Sequence, residues 1–194
     1  MLDIDIRREL DRSLRLKHEG DDSSLLRHEF GVDAGGRRVD VVLINGRLDG
    51  WEIKSDHDSL ARLAGQVEAF SKVLDRSWLV TTDRHLERAV EKVPGWWGVV
   101  RACPVGEDGG VLLTQLRRPR RSPMLDAMAT AQLLWRDEAM AILVERGLGE
   151  GLSGRARWYV WERLAASFAL EPLRGLVRDA LRERREWPGG GLPS

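Results

Sequence analysis

The segment RVDVVLINGRLDGWEIK, residues 38–54, holds two apolar runs separated by Asn45-Gly46. Val39-Asp40-Val41-Val42-Leu43-Ile44 has the texture of a strand buried on both faces, and Leu48–Lys54 reads as its partner. Asn-Gly between such runs is a strong short-range hairpin signal, because both residues tolerate the backbone of a tight turn. Three charges interrupt the apolar pattern: Asp40, Glu52 and Lys54. An ionised group inside an apolar strand costs several kcal/mol, roughly, unless it is paired or bound to an ion. Three of them on two joined strands call for a common explanation.

Pairing register bears on that explanation. A strict two-residue Asn45-Gly46 turn pairs Ile44 with Arg47 and puts Asp40 on the opposite face from Glu52. A three-residue loop, Asn45-Gly46-Arg47, or a bulge at Gly50 sets Asp40 directly across from Glu52. The sequence therefore predicts a hairpin that is not a simple two-residue turn. Two converging carboxylates suit a hard divalent cation with oxygen ligands. Lys54, two residues beyond Glu52, shares its strand face and can act on a water or on developing negative charge.

On either side of the hairpin the pattern continues. Ile6, Leu10 and Leu14 mark a helix over 3–17, and Leu25–Phe30 is a first strand. Leu60, Leu63, Val67, Phe70 and Leu74 predict a helix over 58–74, with Asp56, Asp58 and Ser59 as its N-capping candidates. A short strand at 78–80, a helix at 85–93 and strands at 96–103 and 111–116 follow. Residues 1–116 thus form an α/β core of helices on a mixed sheet. Residues 117–123, Arg117-Arg118-Pro119-Arg120-Arg121-Ser122-Pro123, read as a basic linker. Helices over 124–146, 156–168 and 171–186 make an all-helical C-terminal module (124–187), and 188–194 read as a disordered tail.

The chain has 194 residues, 31 basic and 31 acidic, with 42% hydrophobic content, which excludes an intrinsically disordered protein. Its charge is uneven: residues 1–116 carry 17 basic against 21 acidic residues, and the remainder 14 against 10. The basic half permits a polyanion partner. No stretch is apolar enough to span a bilayer, and MLDIDIRREL lacks the apolar run of a signal peptide. Cys103 is the lone cysteine, so neither an internal disulfide nor a thiolate zinc site can form. A cytoplasmic protein without a membrane partner is expected.

The pattern Asp40-x11-Glu52-Ile53-Lys54, on two strands followed by a helix, resembles the signature of the PD-(D/E)xK phosphodiesterases, the restriction-endonuclease-like nucleases. Val39 stands where the signature has proline. The stretch His28–Trp97 also resembles small bacterial members of that superfamily and, more distantly, the MmcB-like DNA-repair endonucleases. The resemblance implies a restriction-endonuclease-like α/β fold and a metal-dependent nuclease acting on DNA rather than RNA, in repair or defence. It implies that Asp40, Glu52 and the Ile53 backbone carbonyl bind Mg²⁺ or Mn²⁺, completed by Glu29, and that Lys54 positions or activates the attacking water. Gln66, opening Gln66-x-x-x-Phe70, is similar to the Gln-x-x-x-Tyr element of RecB-like members.

Two rival readings come from other classes: a catalytically silent nucleic-acid-binding module on the same fold, and a protein-interaction subunit. Arg37, Arg38, Arg117, Arg118, Arg120 and Arg121 are the candidate phosphate contacts. Trp158 and Trp161 form a packing pair first and a base-stacking platform second. The C-terminal helices serve either to dock nucleic acid or to join two copies of the chain.

Overall fold

The computed structural model describes residues 1–106 and 109–187; the tail expected at 188–194 lies outside the described residues. Six strands make one mixed sheet in sequential order, β1 (Leu25–Val32), β2 (Arg37–Ile44), β3 (Leu48–Lys54), β4 (Arg76–Thr82), β5 (Gly98–Val105) and β6 (Gly110–Arg117). The outer pairs are antiparallel, whereas β3–β4 and β4–β5 are parallel. Parallel neighbours need crossovers, supplied by α2 (Leu63–Ser71) and α3 (Leu86–Val90). This is the mixed, helix-flanked sheet expected from the sequence.

Apolar side chains leave the sheet on both faces. On one, α1 (Asp3–Lys17) lays Ile6, Leu10 and Leu14 over Val41, Leu43, Trp51, Ile53 and Val80. On the other, Val42, Ile44, Leu48 and Leu79 pack with Phe70, Leu74 and Trp97. That second core runs without a break into the C-terminal helices through Leu134, Leu143, Leu164, Leu173 and Leu181. Gly50 is required where β3 passes under the buried Leu74, because a Cβ there would lie 2.5 Å from Leu74 Cδ1 and 3.0 Å from Val39 Cγ1.

The helical region differs from its expected outline. Residues 124–146 form two helices, α4 (Ala127–Ala131) and α5 (Arg136–Glu145), followed by α6 (Arg157–Ser167) and α7 (Leu170–Glu183). The break between α4 and α5 is held by distant donors. Trp161 Nε1 donates to the Leu134 carbonyl at 3.0 Å, and Arg184 Nη2 to the Leu133 carbonyl at 3.0 Å. Residues 118–123 run along the core, tied by Arg120 N–H to Trp96 O, Ser122 N–H to Asp75 O and Ser122 Oγ to Ser71 O. A buried ion pair, Arg174 Nη2 to Asp75 Oδ2 at 2.7 Å, fastens α7 to the residue just before β4, and the same Asp75 oxygen accepts the Leu48 N–H.

Candidate functional site

The hairpin turns through three residues. Ile44 pairs with Leu48, Leu43 with Asp49, Val42 with Gly50 and Val41 with Trp51. Asn45 N–H donates to the Arg47 carbonyl, and Arg47 N–H to Asn45 Oδ1. This is the register that aligns Asp40 with Glu52. The ladder nevertheless stops at Val41–Trp51, and the Asp40 side chain takes over from its backbone: Ile53 N–H donates to Asp40 Oδ2 at 2.7 Å. What Ile53 gives the site here is its amide N–H.

The departure extends into β1. Glu29 lies level with Asp40 in the β1–β2 register and adopts φ +50°, an uncommon backbone conformation for a residue with a side chain. On either side of it the buried faces exchange. His28 and Val41 sit toward α1, whereas Phe30 and Val39 join the opposite core. The carboxylate of Asp40 therefore points into the gap between strands.

Arg7 of α1 fills that gap. It is 3% exposed, and its guanidinium donates to the Asp40 carbonyl at 2.9 Å and to Asp40 Oδ1 at 3.1 Å. The same group lies 3.3 Å from Glu29 Oε1 and 3.1 Å from Asp3 Oδ2. Sequence reasoning missed Arg7. The available signal was a charged residue directly beside Ile6 on the apolar stripe of α1, but its partners lie 22 and 33 positions away.

Glu52 and Lys54 are 2% and 3% exposed and face α2. Lys54 Nζ and Gln66 Nε2 both donate to Glu52 Oε1, each at 2.6 Å. Glu52 Oε2 and Gln66 Oε1 are buried acceptors with no donor. Burial pushes the Glu52 carboxyl up to about 8; the charge of Asp40 adds to the rise, and Lys54 and Gln66 oppose it. Burial also raises Asp40 to about 6, against the Ile53 N–H and Arg7. A proton on Glu52 supplies the donor that this corner lacks.

The structure thus brings Asp40, Glu29, Glu52, Lys54 and Gln66 into one region and adds Arg7. It does not gather the candidate phosphate contacts. The Arg37 guanidinium lies against Gly65, where a Cβ would come within 2.6 Å of Nη2. Arg117 donates to the carbonyls of Trp97 and Pro94, and Arg121 pairs with Glu171; Arg38, Arg118 and Arg120 are exposed. The capping expectation is corrected as well. Asp58 closes a turn with Ser55, Asp56 accepts from Thr82, Ser59 accepts the Ala61 N–H, and α2 starts only at Leu63.

Fit to a divalent ion is poor in this arrangement. Among the described residues no three His, Cys, Asp or Glu side chains are grouped to hold a metal. Both oxygens of Asp40 have donors, one of them cationic, and Glu52 offers a single free oxygen on a carboxyl that holds its proton up to about 8.

Known proteins bear on these expectations. The family model described as Bacteriophage P4 protein cII matches residues 6–187. Protein cII of Enterobacteria phage P4 is 26% identical over 157 residues, which is 81% of this chain and 58% of that protein. The chain accordingly spans less than two thirds of that relative's length. No solved structure matches. These matches correct the membership expected from Asp40-x11-Glu52-Ile53-Lys54. The PD-(D/E)xK superfamily is not the one they point to, and the expectation of a metal-dependent nuclease in repair or defence falls with it. From Ile6 to Trp187, the chain belongs to the Bacteriophage P4 protein cII family.

Proposed function

We propose that the protein binds nucleic acid without cutting it, through the N-terminal end of α6, on a core of restriction-endonuclease-like arrangement. One observation carries the reading: three arginines without a carboxylate partner, interleaved with exposed aromatic rings. Arg157 opens α6, Arg155 lies just before its N-cap Ala156, Arg163 follows nearly two turns on, and none of the three has an acidic partner among the described residues. Trp158 and Tyr159 are exposed between them. The Arg155 guanidinium stacks over Tyr159 at 5.2 Å, and Arg157 over Trp161 at 5.1 Å. Arg155, Tyr159 and Arg163 line a shallow cleft of about 380 Å³, with Glu162 on its rim.

Guanidinium forks suit phosphate oxygens, and exposed rings offer a stacking surface to any base. The positive end of the helix dipole adds to the attraction. In this reading Asp40, Glu52, Lys54, Glu29 and Gln66, with Arg7, are a compensated ion network that fixes the splay between β2 and β3. They do not seat Mg²⁺ or Mn²⁺.

Fluorescence anisotropy with labelled single- and double-stranded DNA and RNA tests the binding. The Arg155→Ala/Arg157→Ala/Arg163→Ala variant should bind at least about tenfold more weakly, and its log K against log salt slope should shrink by about 2–3. Trp158→Ala should weaken binding with the slope unchanged. Equal affinity of wild type and triple variant, or no binding to any strand at low salt, would sink the reading. The ion-network assignment has its own check in calorimetry with MnCl₂. It predicts no heat of uptake that Asp40→Asn or Glu52→Gln removes, and such a heat would overturn it.

A further inference from the structure

The short helix α3 carries two parallel rows of side chains on its outer side. Leu86 and Val90, four residues apart, form an apolar ridge, and both are only half-buried. Glu87 and Glu91, also four apart, form an exposed acidic row beside it. Across from this helix β6 is bulged. Val100 pairs with Gln115 and Val99 with Arg117, so Leu116 is an extra residue without a partner on β5. It is 50% exposed. Leu86, Val90, Val99 and Leu116 thus floor a shallow cleft of about 520 Å³, with Glu87, Glu91 and Arg117 at its rim.

Nothing inside the fold favours the two carboxylates where they stand. Like charges four residues apart on a helix repel. Glu91 is also the C-cap of α3, at the negative end of the helix dipole. Among the described residues neither Glu87 nor Glu91 has a cationic partner. Arg117 is engaged by the Trp97 and Pro94 carbonyls, and Arg88 reaches back to the Arg84 carbonyl and His85. A negative rim repels phosphate, so the cleft does not continue the arginine surface of α6.

We propose that the cleft between α3 and β6 docks a basic amphipathic helix of a partner protein, with leucine-like side chains on one face and Lys or Arg four residues apart beside them. The match is row to row. A helix laid along α3 sets its own apolar ridge beside Leu86 and Val90 and onto Val99 and Leu116. Cations four residues apart are separated by a rise of about 6 Å, the same as from Glu87 to Glu91, so both carboxylates gain a partner at once. Charge selects this occupant, since an acidic helix would cover the leucine but set like charges against the rim. The α6 arginines line a different cleft, so this docking and the nucleic-acid reading stand or fall separately.

Fluorescence anisotropy tests the docking with a labelled Leu/Lys amphipathic helix of about 18 residues and a counterpart in which every lysine is glutamate. The full chain should bind the lysine peptide and not the glutamate one. Glu87→Lys/Glu91→Lys should weaken the lysine peptide at least about tenfold and gain the glutamate peptide. Glu19→Lys/Glu183→Lys makes the same change in net charge at exposed positions elsewhere and should bind as wild type does. Leu116→Gln, which alters no charge, should also weaken binding, with far-UV circular dichroism unchanged because Leu116 is already exposed. No binding of the lysine peptide at about 100 μM would overturn the proposal. So would an equal loss in the Glu19→Lys/Glu183→Lys control, or full affinity in Leu116→Gln. A wild-type dimer in sedimentation velocity that Glu87→Lys/Glu91→Lys dissolves would give the cleft to a second copy and overturn it as well.

Discussion

Arg7→Ala should lower the unfolding free energy by about 3–5 kcal/mol, the range for removing one partner from a buried ion pair. Arg7 is the cation shared by Asp40 and Glu29, and it also holds the Asp40 carbonyl. Without it, two carboxylates on adjacent strands face each other in a space closed by α1. Asp40 is already raised to about 6 with Arg7 present, so the variant should raise it further. Arg7→Met keeps most of the side-chain volume and removes only the charge. It should still lose most of the stability, whereas Arg7→Met/Asp40→Asn should regain a large part of it. Urea unfolding at pH 7 gives all three values, with the slope reporting whether the same surface is exposed. An unchanged midpoint for Arg7→Ala would show that the network carries no net energy.

The sequence made local chemistry legible and left distant partners hidden. The three-residue turn followed from Asn45-Gly46 together with the need to align Asp40 and Glu52, and the structure has that register. Glu52 and Lys54 could be grouped because a period-two argument acts over a few residues, whereas Gln66 entered only through the resemblance to a Gln-x-x-x-Tyr element. Arg7 was out of reach, since nothing in α1 indicates which strand carbonyl its guanidinium meets. The break at 132–135 was equally hidden, because its carbonyls are satisfied by Trp161 and Arg184. The run at 117–121 looked uniformly free as sequence, yet Arg117 and Arg121 are anchored by the backbone and by Glu171. The functional reading failed for a related reason. Acidic and basic residues buried at this spacing reveal a charge cluster, but not whether a metal ion or an arginine neutralises it.

The Glu52 carboxyl makes stability fall as pH rises, the reverse of the usual behaviour of paired acids. In the unfolded chain it titrates near its ordinary 4.5, whereas burial holds the proton in the folded protein up to about 8. Between those values the folded state binds more protons than the unfolded one, so each step up in pH favours unfolding. At about 1.4 kcal/mol per pKa unit the whole interval sets a ceiling of about 5 kcal/mol, and the Lys54 contact brings the expected loss to about 2–4 kcal/mol between pH 5 and 8.5. Asp40, raised from 3.8 to about 6, adds a loss of the same sign that is complete near pH 7. His28 works the other way: burial lowers its pKa, so its contribution grows as pH rises through the ordinary histidine range. Glu52→Gln keeps an amide oxygen for Lys54 and gains a donor, but it cannot titrate. The difference between wild type and Glu52→Gln therefore cancels His28 and Asp40 to first order and isolates Glu52. Denaturation at half-unit steps from pH 5 to 8.5 should show the variant gaining steadily on wild type, with most of the gain complete by pH 8.5. A constant difference would mean that Glu52 is ionised throughout, with Lys54 as its full counter-charge, and that burial does not control this corner of the site.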